Sequence, residues 1–163
     1  MAEETEQVQH PNRDKPESIR TRGIVAVLLI ASAVLLLVLL WGGWSRFEGM
    51  KGAVVFFIAV YVLFAFFVIR WNRGVLPVVS ALAILLIIFA AVAAPSWFSR
   101  DADGFTDSAL PAVLMGYLTI LLIPLQIVLI GFAMKGFQQG WNVEAGTRAY
   151  FESTGEDAQG ESA

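Results

Sequence analysis

Four runs of apolar residues, at positions 24–44, 52–69, 75–98 and 110–134, contain no Asp, Glu, Lys, Arg or His. As helices rising about 1.5 Å per residue they reach roughly 27 to 37 Å, which brackets the roughly 30 Å hydrocarbon core of a bilayer. One such run fits a buried helix of a soluble domain. Four in succession leave too few polar residues to cover them. Composition agrees, since 57% of the 163 residues are hydrophobic and only 15% are charged, whereas soluble domains carry about 25% charged residues. The expected fold is an all-α membrane protein, a four-transmembrane-helix antiparallel bundle with both termini in the cytoplasm.

Two features frame the spans. All five tryptophans fall near span ends, with Trp41, Trp44 and Trp97 towards one side and Trp71 and Trp141 towards the other. An aromatic belt at the two membrane interfaces would place them so. Lys and Arg set the orientation. Arg13, Lys15, Arg20, Arg22, Arg70, Arg73, Lys135 and Arg148 fall on the side of the termini, against Arg46, Lys51 and Arg100 opposite. The positive-inside rule then places both termini in the cytoplasm.

The expected organisation is a disordered cytoplasmic tail at 1–22, a four-helix transmembrane domain at 23–135 and an acidic cytoplasmic tail at 136–163. Arg20 and Arg22 before an apolar run, followed by Ala31-Ser32-Ala33, resemble a signal peptide with its cleavage site. The run stays apolar through Leu40, where a cleavage region turns polar, so it reads as a retained span. Short connections after the first two spans force neighbouring helices to pack in sequence order. Thr106-Asp107-Ser108 followed by Pro111 is a capping signal with a proline in the first turn of the fourth span. Residues 143–151 are at most a short interfacial helix. Trp-Asn follows both the second and fourth spans, at Trp71-Asn72 and Trp141-Asn142. A duplicated hairpin would leave that trace, as would interface anchoring alone.

The chemistry the chain lacks is informative. Eleven Lys and Arg against fourteen Asp and Glu, a formal net charge of −3, provide no basic field for nucleic acid. Without cysteine there is no disulfide, Cys-ligated zinc or iron–sulfur cluster. The one histidine, His10, lies in the N-terminal tail and has no second His to pair with. No catalytic, metal or cofactor-binding set can be assembled, and a non-enzymatic protein is expected. Asp101, Asp103 and Asp107, in the loop after the third span, are three hard ligands that could in principle bind a cation. Charges inside a span mark proton relays and ion sites, and these spans have none.

A few neutral polar residues remain. Ser32, Tyr61, Ser80 and Gln126 lie five to eight residues in from the cytoplasmic span ends, roughly 8 to 12 Å deep. They form either a layer of interhelical hydrogen bonds or a polar pocket. Thr119 is two turns from Gln126 on the same stripe. Pro124, between them, removes one helical bond and forms either a kink or a hinge. Phe57, Tyr61 and Phe64 share one face of the second span, as core packing or as a platform for an apolar ligand. Ala90 and Ala94 permit close helix contact. Arg70 and Arg73, flanking Trp71, are candidates for an anionic head group.

These features suggest a small accessory or structural subunit whose partners are the lipid bilayer and other membrane proteins or further copies of itself. The alternative is a transporter, or a protein handling lipid or small apolar ligands through the polar layer. An excess of arginine over lysine, with abundant Ala, Gly and Val, suggests a bacterial cytoplasmic membrane.

Overall fold

A computed structural model describes residues 15–45, 49–99 and 109–141. The described residues form four long helices and one short 3-10 turn, with no strand among them. The helices are α1 (Pro16–Gly42), α2 (Lys51–Ile69), α3 (Leu76–Phe98) and α4 (Ala112–Gln138), and the turn at Arg73–Val75 leads into α3. All four are long and apolar enough to cross a membrane. Their outward faces carry exposed Val27, Phe56, Val92 and Ile127, a surface that lipid solvates and water does not.

Helix α1 starts at Pro16, so residues 16–22, expected in a disordered tail, are helical. The cause is local. Lys15 is extended, Pro16 occupies the first turn where its missing N–H costs nothing, and Glu17 complements the positive end of the helix dipole. Helix α4 likewise continues past Met134 to Gln138. Pro111 stands at the cap position of α4, one step outside the first turn, and its carbonyl accepts the Met115 N–H at 3.1 Å. Thr106, Asp107 and Ser108, the expected capping residues, lie outside the described residues, as do Asp101, Asp103 and residues 143–151.

Packing does not follow sequence order. Helix α4 lies along both α1 and α3, α1 lies along α2, and α2 scarcely meets α3 despite the short connection between them. The expectation that the first three spans pack consecutively is therefore corrected. The two hairpins are also not equivalent, because the α1–α4 seam has no counterpart between α2 and α3. Met115, Thr119, Leu122, Gln126, Leu129, Ala133 and Gly136 form the buried stripe of α4. They alternate steps of four and three, the seam of a helix that meets its neighbours along its whole length. Glycine allows the closest approaches, since a Cβ on Gly116 would come within 2.6 Å of the Phe98 ring.

The reason α2 and α3 diverge lies in their connection. The Asn72 N–H bonds the Phe67 carbonyl and the Trp71 N–H bonds the Val68 carbonyl, both at 3.0 Å. That pair of bonds is a Schellman motif, which places the residue after the cap in the left-handed region and usually puts glycine there. Here it is Trp71, at φ +62°. A bulky residue in that region costs about 1–2 kcal/mol, so contacts of the indole must offset the strain. The Asn72 side chain then accepts the Gly74 N–H at 3.1 Å and starts the turn into α3.

If the ring holds Trp71 in place, Trp71→Ala loses the ring and keeps the strain, while Trp71→Gly loses both. Both variants should unfold below wild type in thermal denaturation in detergent. The glycine variant should be the more stable of the two by about 1 kcal/mol. Equal midpoints for the two variants would refute this account of the turn.

Candidate functional site

Three polar residues of the spans meet at mid-bundle. Gln126 on α4, Tyr61 on α2 and Ser32 on α1 are each fully buried. The Tyr61 hydroxyl donates to Gln126 Oε1 at 3.0 Å, and Gln126 Nε2 donates to Ser32 Oγ at 2.9 Å. The Ser32 hydroxyl donates in turn to the Leu28 carbonyl, four residues back on its own helix, at 2.8 Å. One amide thus joins three helices. Tyr61 is eight residues before Ile69, so the relay lies roughly 12 Å below the end where α2 stops.

Two residues expected near this layer stand apart from it. Ser80 donates to the Leu76 carbonyl of its own helix at 3.2 Å, and Thr119 donates to the Met115 carbonyl at 2.8 Å. Both are buried. Each satisfies its hydroxyl within its own turn, the usual solution for a hydroxyl in a helix with no water near. Pro124 is exposed on α4, about 200° around the helix from Gln126 at 100° per residue. It faces away from the relay, and α4 continues through it as one helix.

The relay has limited chemistry. It holds a phenol, an amide and a hydroxyl, with no charged group. Among the described residues no cluster of His, Cys, Asp or Glu is arranged to hold a metal ion. The second amide hydrogen of Gln126 has no partner among the described residues, a cost that subtracts from the gain of the other bonds.

A second polar assembly lies at the end of the bundle where α1 begins and α4 finishes. The Arg22 guanidinium sits 4.1 Å from the centre of the Trp71 ring and donates to the Ile69 carbonyl at 3.2 Å. Trp71 meets Trp141 edge to face, with centroids 5.5 Å apart. Trp141 is fully buried and donates from Nε1 to Gln139 Oε1 at 3.1 Å, while Gln139 Nε2 donates to Thr21 Oγ1 at 3.1 Å. Arg73 lies 4.5 Å from the centre of the Phe137 ring, and Arg70 5.5 Å from that of Phe66. These two arginines, read from sequence as head-group ligands, each rest on an aromatic ring of the protein.

The belt reading of the tryptophans needs correction here. Trp41 and Trp44 are exposed near one end, as interface anchors should be, but Trp97 and Trp141 are buried. The tryptophans of the paired Trp-Asn steps, read from sequence as a trace of duplication or of interface anchoring, meet each other. Thr21, Arg22 and Gln139 gave no separate signal, because contacts across 47 residues (Arg22 to Ile69) or 118 (Thr21 to Gln139) leave no spacing to read.

Fold and polar groups together define a helical protein with four helices long enough to span a membrane and an uncharged hydrogen-bonded core. The chain matches no protein-family model, no curated protein and no solved structure.

In a double-mutant cycle, Tyr61→Phe and Gln126→Leu should show a coupling of about 0.6 kcal/mol, and at most about 1.7, the range for hydrogen bonds between transmembrane helices. The amide hydrogen left without a partner among the described residues favours the lower figure. Unfolding measured in detergent would give the cycle, and additive effects would break the link between the two residues.

Proposed function

We propose that the protein is a small, non-enzymatic subunit of a membrane complex, serving an accessory or structural role in the cytoplasmic membrane. One observation carries this reading. The buried polar side chains Ser32, Tyr61, Ser80, Thr119 and Gln126 each bond one another or their own backbone, which supports a packing role over one in transport. The charged side chains of the described helices lie towards their ends, at Glu17, Arg20, Arg22, Lys51 and Lys135. A core without charge suits tight helix packing and offers no relay for a proton or an ion. The reading of Ser32, Tyr61, Ser80 and Gln126 as a transport pocket draws less support, since Ser80 stands outside the relay and Gln126 already bonds Tyr61 and Ser32.

We also propose an antiparallel bundle with both termini in the cytoplasm. Contacts at the two ends support the arrangement: Thr21 of α1 meets Gln139 beyond α4, and Gly42 of α1 lies against Leu110 and Met115. Arg22 meets the last turn of α2 at Ile69, and Leu76 at the start of α3 meets Gly136 near the end of α4. The distribution of Lys and Arg supports the orientation.

The chain has no cysteine, which simplifies a topology test. Ala102→Cys should react with an impermeant maleimide in intact cells, and Ala158→Cys only after permeabilisation. The reverse pattern would invert the orientation. For the function, purification of the tagged chain in mild detergent should return a membrane protein at a fixed stoichiometry. Recovery of the chain alone, from cells expressing it at its natural level, would remove the accessory reading.

A further inference from the structure

Arg22, Lys51, Arg70 and Arg73 each rest on an aromatic ring. Arg20 and Lys135 have neither a ring nor a carboxylate as partner among the described residues. Both line a recess on the seam between α1 and α4, together with Glu17, Thr21, Ile24 and Phe132. Glu17 is also without an ion pair among the described residues. Arg20 stands three residues on from it, a spacing at which side chains of a helix can pair. Charges of both signs therefore border one opening without neutralising each other.

Thr21 supplies a second, independent sign. It is only 3% exposed, and its Oγ1 accepts from Gln139 Nε2 at 3.1 Å. Its own hydroxyl hydrogen has no acceptor among the described residues. Ser32, Ser80 and Thr119 each give theirs to the carbonyl one turn back, so Thr21 departs from the rule of this bundle. A buried donor without an acceptor is costly, and this one lines the recess. The recess is also graded along α1. Ile24 opens the charge-free run, Thr21 and Arg20 lie roughly 4–6 Å further out, and Glu17 roughly 5 Å beyond Arg20. Ile24 and Phe132 are half-buried, while Arg20, Lys135 and Glu17 are exposed.

We propose that this recess binds phosphatidylethanolamine, with the phosphate on Arg20, Lys135 and the Thr21 hydroxyl and the ammonium on Glu17. An apolar wall, then two cations with a hydroxyl, then a carboxylate match in order the acyl chain, phosphate and ammonium of that lipid. The phosphate gives Thr21 the acceptor it lacks and the two cations a counter-ion. Glu17 selects among phospholipids. Phosphatidylglycerol brings no cation to meet it. Choline carries a quaternary ammonium that cannot donate a hydrogen bond and is recognised by cages of aromatic rings. The recess has one ring, Phe132, at its apolar end. A soluble phosphate ester would leave the wall of Ile24 and Phe132 without a partner, whereas a lipid covers it with hydrocarbon.

The test is retention of lipid by the full-length protein, reconstituted in vesicles of equal parts phosphatidylethanolamine and phosphatidylglycerol and re-extracted in mild detergent. Native mass spectrometry should show phosphatidylethanolamine kept over phosphatidylglycerol by about threefold, the worth of one exposed ion pair. Glu17→Gln should bring the two lipids to parity with no loss of phosphatidylglycerol. Lys135→Gln should lower retention of both about fivefold, as expected for one cation at a membrane surface. Arg73→Gln, at a cation that rests on Phe137, should leave both unchanged. Glu17 and Lys135 are exposed, so their substitution spares the core. Equal retention of the two lipids by the wild type, or a lipid ratio that Glu17→Gln leaves unmoved, overturns the proposal. So does displacement of the bound lipid by inorganic phosphate, which would give the site to a soluble phosphate.

Discussion

A carboxamide in hydrocarbon must find its partners inside the protein, because lipid can neither donate nor accept a hydrogen bond. Gln126 is that group here, and the arrangement of α1, α2 and α4 depends on it. Its oxygen takes the Tyr61 hydroxyl and its nitrogen reaches Ser32, so rotation of any one helix by a residue would break at least one bond. Most of the buried core is Leu, Val and Ala, which pack nearly as well in several registers. In a bilayer the helix faces that meet and those that face lipid are equally apolar, so packing alone discriminates poorly. The polar relay therefore specifies register more than it adds stability.

The end of the bundle bearing Thr21 and Gln139 solves a related problem with charge. Arg22 belongs to α1, yet its guanidinium donates to the carbonyl of Ile69 at the end of α2 and covers the ring of Trp71. A helix C-terminus carries partial negative charge on its free carbonyls, which favours a cation there. The same guanidinium also interacts with an aromatic face, an interaction of about 0.5–1 kcal/mol at exposed sites and more when water is excluded. Together with the edge-to-face contact to Trp141, this offsets the left-handed backbone of Trp71. The strain at that turn and the cation on the neighbouring helix are one structural device.

Much of this was legible in the residues, unevenly. Four helices and their approximate limits follow from apolar runs whose physical cause, the thickness of hydrocarbon, is local in sequence. The burial of Ser32, Tyr61 and Gln126 was legible for the same reason, since a polar group in an apolar run must turn inward. Which of them touch was not. Ser80 met every criterion that Ser32 met, and the difference is only that α3 does not bring it to Gln126. The roles of the tryptophans were misread because an indole at a span end satisfies equally an interface or a neighbouring ring, and sequence position is the same for both. The early start of α1 was missed because polar residues beyond the hydrocarbon can extend a helix when Pro and an acid stand in its first turn.

The gap between α2 and α3 arises from these same constraints. In water it would close, because apolar walls exposed to solvent are driven together at roughly 25 cal/mol per Å². In lipid that force is absent, and only dispersion and shape favour closure. The Schellman turn sends the chain away from α2 at one end, and Phe57 and Phe89 meet edge to face between the two helices. Helix α4, already in contact with α1 and α3, cannot follow α2 away from α1 without giving up the Gln126 bond to Ser32. A cleft is therefore the expected result of joining a strained turn to a polar relay that ties α2 to α1 and α4 but not to α3. A medium that fills it with hydrocarbon at no hydrophobic cost leaves little force to remove it.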